Sequence, residues 1–249
     1  MATSDRFSNK TVIVTGAGSG IGRATAVRLA AEGAHVVATD VVEARLAALA
    51  TELGAGVTTV AGDIADSAVI EQILDAAHGK VDGLANVAGI MDGFLPTAEI
   101  DDDTWDRVLA VNLTAMMRLT RAVLPLMLDA GHGSIVNVSS EAGLRGSAAG
   151  TTYTTSKHAV NGFTKSTAFF YTTKGVRCNA VAPGAVATNI EAPFTSAWAG
   201  ERLGPFLQTT VPPVARPEEL AAAITWLLSD DSSNVSGAIL ADDGGWAAV

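Results

Sequence analysis

Cysteine, tyrosine and positive charge are scarce in this chain. Of 249 residues one is cysteine and two are tyrosine, and 16 Lys and Arg stand against 26 Asp and Glu. One cysteine, Cys178, excludes an intrachain disulfide and fits a reducing compartment. Its setting, GVRCNAVAPG, reads as a buried strand, so packing is its expected role. The formal net charge is −10. Such a mean field repels nucleic acid and anionic membranes, and the basic residues are scattered, so neither is expected as a partner. No apolar run approaches the roughly 20 residues that span a bilayer. The opening MATSDRFSNK is polar, unlike a secretory leader. A cytoplasmic protein is the expectation. His35, His78, His132 and His158 show no ligand spacing with acids or Cys178, and no metal is expected.

What the chain does have is apolar mass and glycine: 48% hydrophobic residues, 17% charged, 25 glycines. That composition buries a sizeable core. β-branched runs at 11–15, 35–39, 57–61, 83–87, 134–139, 176–182 and 238–241 read as strands. Helical patterns fall between them, at 20–33, 42–53, 67–78, 102–129, 153–173 and 217–229, with Pro125 expected to kink the fourth. Strands alternating with helices predict an α/β fold, a Rossmann-type doubly wound parallel sheet of about seven strands. No repeat, linker or change in composition divides the chain, so 1–249 is expected to form one domain.

The first strand runs into a glycine loop, TVIVTGAGSGIGRATA. Gly16, Gly20 and Gly22 depart from G-x-G-x-x-G spacing, yet keep its physics: a tight turn, close backbone approach, and a helix N-terminus whose free N–H groups attract a pyrophosphate. The other reading is an ordinary glycine-rich turn. Asp40 ends the second strand, eighteen residues after Gly22. A carboxylate there accepts both hydroxyls of an adenosine ribose and repels a 2′-phosphate. The repulsion is worth about 4 kcal/mol for two charges ~4 Å apart at an effective dielectric of ~20, close to a thousandfold preference for NAD over NADP. Ser19 agrees, since it is not basic. Asp40 could instead cap the following helix.

Tyr153 and Lys157 stand at i and i+4 and share a helix face. A phenol near pKa 10 is a poor acid or base at neutrality. A lysine cation and a nicotinium charge both favour the phenolate, so a lowered Tyr153 pKa is expected. Ser140 follows the 134–139 strand at its carboxyl edge, where it can hydrogen-bond a substrate oxygen. Asn112 reads, alone, as a polar group at a helix kink. Singly, Tyr153 could be a snorkelling aromatic, Lys157 a solvated residue and the serine pair a loop.

Taken in order, TGAGSGIG (15–22), NVAG (86–89), Asn112, Ser139–Ser140, YTTSK (153–157), APGAVAT (182–188) and DDGGW (242–246) resemble the short-chain dehydrogenases/reductases across nearly the whole chain. The resemblance implies NAD as cofactor, a small-molecule alcohol or ketone as substrate, and a homotetramer. It makes Ser140, Tyr153 and Lys157 catalytic, with Asn112 holding a water that links Lys157 to solvent. It implies dinucleotide contacts from Gly16, Ser19, Gly20, Ile21, Gly22, Asp40, Asp63, Ile64, Asn86, Ala88, Gly89, Tyr153, Lys157, Pro183, Gly184, Val186 and Thr188. Val87 replaces the family's usual second Asn, which puts one local hydrogen bond in doubt.

By the same resemblance, residues near 189–215 form a lid, predicted to be weakly structured. Phe194, Trp198, Leu203, Phe206 and Leu207 there either face substrate or pack the lid down. Glu141, Leu144 and Arg145 could also face the pocket. The implied activity is interconversion of a secondary alcohol and a ketone. The alternatives are a 3-oxoacyl-thioester reductase, against which Asp40 and Ser19 argue, a non-catalytic dinucleotide sensor, and a structural subunit.

Overall fold

The computed structural model describes residues 5–190 and 193–248; residues 191 and 192 of the expected lid lie outside these. Seven strands form one parallel sheet: β1 Thr11–Thr15, β2 His35–Asp40, β3 Val57–Ala61, β4 Gly83–Asn86, β5 Gly133–Val138, β6 Val176–Pro183 and β7 Ile239–Asp242. Their order is β3-β2-β1-β4-β5-β6-β7. The order reverses between β1 and β4, and the crevice outside the carboxyl ends of such strands is where doubly wound sheets bind ligands.

Alternation along each strand divides the core in two. Val12, Val14, Val36, Ala38 and Val136 meet Leu29 of α1 (Gly20–Ala31), Leu46 and Leu49 of α2 (Glu43–Leu53), and Leu220 and Ile224 of α8 (Pro217–Leu228). Ile13, Val37, Leu84 and Ile135 point the other way. They meet Ile73 of α3 (Ser67–Ala76), Leu119 and Met127 of α5 (Met116–Ala130), and Ala168 of α6 (Thr151–Tyr171). Cys178 is fully buried in this second cluster, and burial pushes its thiol up to about 12. Its reactivity is therefore suppressed.

Local chemistry sets the ends of the helices. Asp66 accepts from the Ala68 amide at the start of α3, and Asp101 from Thr104 at the start of α4 (Asp102–Leu109). Gly131, in a left-handed conformation, ends α5.

Two elements differ from the sequence reading. The helix expected over 102–129 is interrupted by a π-helical stretch, Ala110–Ala115, between α4 and α5. Helix α5 continues through Pro125. The segment expected to be weakly structured contains a fourteen-residue helix, α7 (Ala197–Thr210), capped by Ser196, whose hydroxyl accepts from the Ala199 amide.

Candidate active site

β1 delivers the chain into the glycine loop, and the loop starts α1. Gly16 has φ +65°, and a Cβ there would lie 3.0 Å from Ala88 Cα. A Cβ on Gly22 would lie 2.1 Å from the Gly16 carbonyl oxygen. Side chains are thus excluded where the helix N-terminus meets the strand end, leaving a cradle of backbone. Ser19, the N-cap residue of α1, makes no side-chain cap bond. Asp40 leaves β2 buried and accepts from the Gly18 amide through Oδ2 and the Val42 amide through Oδ1, both at 2.9 Å. It is not the cap of α2, whose N-cap is Val42.

The next strand ends extend the wall. Asp63, after β3, accepts from the Ala65 amide at 2.9 Å and pairs with Arg107 of α4 at 2.8 Å. Burial raises its carboxyl, but that amide and Arg107 outweigh it and leave Asp63 below its ordinary value. After β4, the Val87 and Ala88 amides both donate to Thr15 Oγ1, at 2.9 and 3.0 Å. The Val87 side chain packs against the first core cluster, so the residue that departs from the family pattern is held by backbone instead. Asn86 is buried lower down and donates to Asn137 Oδ1 at 2.9 Å and Thr120 Oγ1 at 3.2 Å.

Ser139 and Ser140 follow β5, and α6 carries Tyr153 and Lys157 one turn apart. Ser139 is buried, with its hydroxyl donating to the Lys157 carbonyl at 3.3 Å. Ser140 lines the cleft and is hydrogen-bonded to Tyr153. Lys157, also buried, donates from Nζ to the Val138 carbonyl at 2.9 Å, and Nζ lies 5.4 Å from the centre of the Tyr153 ring. Burial pushes the Tyr153 phenol up to about 12, with the Ser140 hydrogen bond opposing and Asp92 reinforcing. Burial pushes Lys157 down to about 8. For the protein alone this reverses the lowering of Tyr153 expected from the sequence. Desolvation disfavours both charged forms, and at Tyr153 it outweighs the Ser140 hydrogen bond.

Asn112 sits in the π-helical stretch. Its Oδ1 accepts from the Ile90 amide at 2.8 Å, and its Nδ2 donates to the Ile90 carbonyl at 3.0 Å and to Ser156 Oγ at 3.2 Å. It joins the π turn to the chain after β4 and to α6.

A single cleft of about 510 Å³ gathers these parts, a volume ordinary for a small-molecule site. Ser140, Tyr153 and Lys157 line it, together with Gly16, Ser19, Gly20, Ile21, Gly22, Asp40, Asp63, Ile64, Ala88, Gly89, Pro183, Gly184, Val186 and Thr188. Asn86 and Asn112 do not; they line a small void beneath it. Sequence reasoning missed Arg45 and Arg107 on the cleft wall, and Ile90 and Met91 near Tyr153. It also missed Asp92, whose carboxylate accepts from the Tyr153 amide at 2.9 Å and so anchors the first turn of α6. No sequence signal marks them, since each matters through a contact distant along the chain.

The residues after Ser140 do not line the cleft. Glu141 is buried and paired with Arg145, and Leu144 is partly exposed. In α7, Leu203 and Leu207 pack against the cluster that contains Tyr153 and Phe94, while Trp198 is exposed. Phe194 stacks on Phe94 with ring centres 4.4 Å apart.

A glycine cradle at the head of β1, a carboxylate at the end of β2, and Ser, Tyr and Lys side chains around one cleft define a dinucleotide-binding oxidoreductase fold. The family model for short chain dehydrogenase matches residues 10–198, and the chain belongs to that family. It is 40% identical to the short-chain dehydrogenase/reductase cdmF of Talaromyces verruculosus, over 96% of this chain and 97% of that one. It is 38% identical to 3beta-hydroxysteroid dehydrogenase 2 of Eggerthella lenta, over 97% and 96%. A solved Beutenbergia cavernae structure with NADP bound at low occupancy superposes with a TM-score of 0.86. The two are 36% identical, and the match covers the whole of both chains.

Proposed function

We propose that this protein interconverts a secondary alcohol and a ketone, with NAD(H) as its preferred cofactor. The convergence of Ser140, Tyr153 and Lys157 on the cleft that begins at the glycine loop carries the reading. The Gly16–Gly22 cradle excludes side chains and fits a pyrophosphate. A nicotinamide dinucleotide held there would accept or supply the hydride.

Tyr153 then takes the proton of the alcohol on oxidation, or gives one to the ketone on reduction. Ser140, already bonded to Tyr153, holds the substrate oxygen. Lys157 shares the buried environment of Tyr153, and its charge stabilises the phenolate once the site is assembled. The Tyr153 pKa of the protein alone, about 12, means that cofactor and substrate complete the activation.

Asp40 favours NAD, since it would meet a 2′-phosphate with like charge. Arg45 supports a second reading, in which NADP is also used. It lines the same cleft, and a Cβ on Gly18 would touch both the Asp40 carboxyl and the Arg45 stem. Ile90, Met91, Val186 and Ile190 favour an apolar substrate, and a hydroxysteroid dehydrogenase among the relatives agrees. We take the chain as one domain with residues near 189–215 as lid, assembled as a homotetramer.

Reduced-nicotinamide absorbance tests the reading, with NAD and NADP over cyclic alcohols, steroids, sugars and hydroxyacyl thioesters. Tyr153→Phe is expected to lose at least about a thousandfold in turnover while still binding NADH. Full turnover in that variant would overturn the mechanism. Tighter binding of NADPH than NADH would overturn the cofactor preference.

A further inference from the structure

Directly after Ser140 lies a buried ionic cluster that the proposed chemistry leaves unused. Glu141 is 1% exposed, and its Oε1 lies 2.5 Å from Arg145 Nε. Asp243, of the C-terminal segment, faces the same carboxyl. Asp243 is itself fixed: it accepts from the Gly245 amide at 2.8 Å and the Ala247 amide at 2.7 Å. Its backbone abuts Gly184, where a Cβ would lie 3.0 Å from Asp243 Cα. Gly184 lines the cleft. The Arg145 guanidinium carbon lies 4.8 Å from the Trp246 ring centre and 5.8 Å from that of Phe206 on α7. Trp246 is 6% exposed, and its ring nitrogen donates to Thr210 Oγ1, the last residue of α7, at 3.2 Å. Three segments far apart in sequence therefore meet at Arg145: the Ser140 loop, α7 and the C-terminal turn.

Burying two carboxylates beside one guanidinium is expensive, and a hydrophobic cluster would fill the space more cheaply. What the ionic arrangement adds is direction. Glu141 fixes where the planar guanidinium points, and the guanidinium lies over two aromatic rings. We infer that Glu141, Arg145 and Trp246 are positioning residues, a clasp that seats α7 over the Ser140–Tyr153 end of the cleft. The clasp acts through α7, whose Leu203 and Leu207 pack against the Tyr153 cluster, and not by touching substrate. It rests on the proposed function only in that the space beneath α7 is taken to hold substrate.

Hydrogen–deuterium exchange of the full-length protein tests the clasp without a known substrate. Glu141→Ala and Trp246→Leu are each expected to speed amide exchange in residues 203–211 about tenfold, with β1 and α1 unchanged. The double variant is expected to exchange no faster than the faster single one, because both act through Arg145. Glu141→Gln retains a polar oxygen beside Arg145 Nε and should restore slow exchange. Exchange that rises equally throughout the protein would mean general destabilisation and overturn the clasp. So would multiplicative effects in the double variant, or a Glu141→Gln that behaves as Glu141→Ala. NADH fluorescence on the same samples separates the two ideas. An unaltered protein that fails to bind NADH sinks the proposed function, and the exchange pattern still decides the clasp.

Discussion

A lysine buried among carbonyls and a phenol costs stability, and Lys157 makes that cost measurable. It is 3% exposed, and its Nζ donates to the Val138 carbonyl at 2.9 Å. Burial lowers its pKa to about 8, against an ordinary value of 10.5. The folded form thus binds the proton less tightly than the unfolded chain does. Stability is greatest above pH 10.5, where the amine is neutral in both states, and is lost as pH falls through 8. Methionine has nearly the same volume and no charge. Lys157→Met should therefore be more stable than the unaltered protein at pH 7, by on the order of 2 kcal/mol after allowing for the lost hydrogen bond. The advantage should shrink to nothing near pH 10.5. Urea unfolding at both pH values checks this, and equal stability at pH 7 would refute it. The same variant should have lost turnover, since the residue that destabilises the fold is the one that the proposed chemistry needs.

Among the elements, the interruption between α4 and α5 falls where the Asn112 side chain is tied to neighbouring segments. Asn112 uses both ends of its amide on Ile90, and its Nδ2 also reaches Ser156. A regular helix from 102 to 129 gives no warning of this, because the partner backbone lies 22 residues earlier in the chain. Helix α7 was hidden for a different reason. Gly200, Gly204 and Pro205 read as loop residues, yet the Ser196 cap and packing against the Tyr153 cluster hold a helix through them. Among the described residues the seven strands and seven of the eight α-helices were legible, α4 and α5 as one expected segment, from apolar runs alternating with Ala- and Leu-rich stretches. Cys178 was legible as packing, the placement of Tyr153 and Lys157 at one cleft by their spacing, and that of Ser140 over Ser139 by the family resemblance. Asp92 and Arg45 were not, since their neighbours come from other elements. Asn112→Ala would strand the Ile90 amide and carbonyl together. At ~1–3 kcal/mol for an unsatisfied buried group, the variant should lose about 2–4 kcal/mol by urea unfolding. A loss below about 0.5 kcal/mol would show that the π turn does not depend on this side chain.

For the molecule as a whole, charge and apolar surface pull in opposite directions. Each chain carries a formal charge of −10, so copies repel at long range. Yet α6 exposes Phe169 at 79% and Phe170 at 64%, with the two rings in edge contact at 5.3 Å. Large aromatics exposed side by side on a helix are costly in water, and in the proposed assembly another copy would cover them. Closed symmetry of the proposed tetramer would pair such patches with one another. Sedimentation should then give a mass near four times the 25.3 kDa of one chain. Salt should strengthen the assembly, because screening shortens the repulsion to ~8 Å at physiological ionic strength while the aromatic contact stays. Replacing Phe169 and Phe170 together with Ser should shift the protein to smaller species, most completely at low salt. These residues lie outside the cleft, so NADH binding by those smaller species should remain. A variant that still sediments as a tetramer at low salt would place the interface elsewhere, and a monomeric unaltered protein would remove the tetramer altogether.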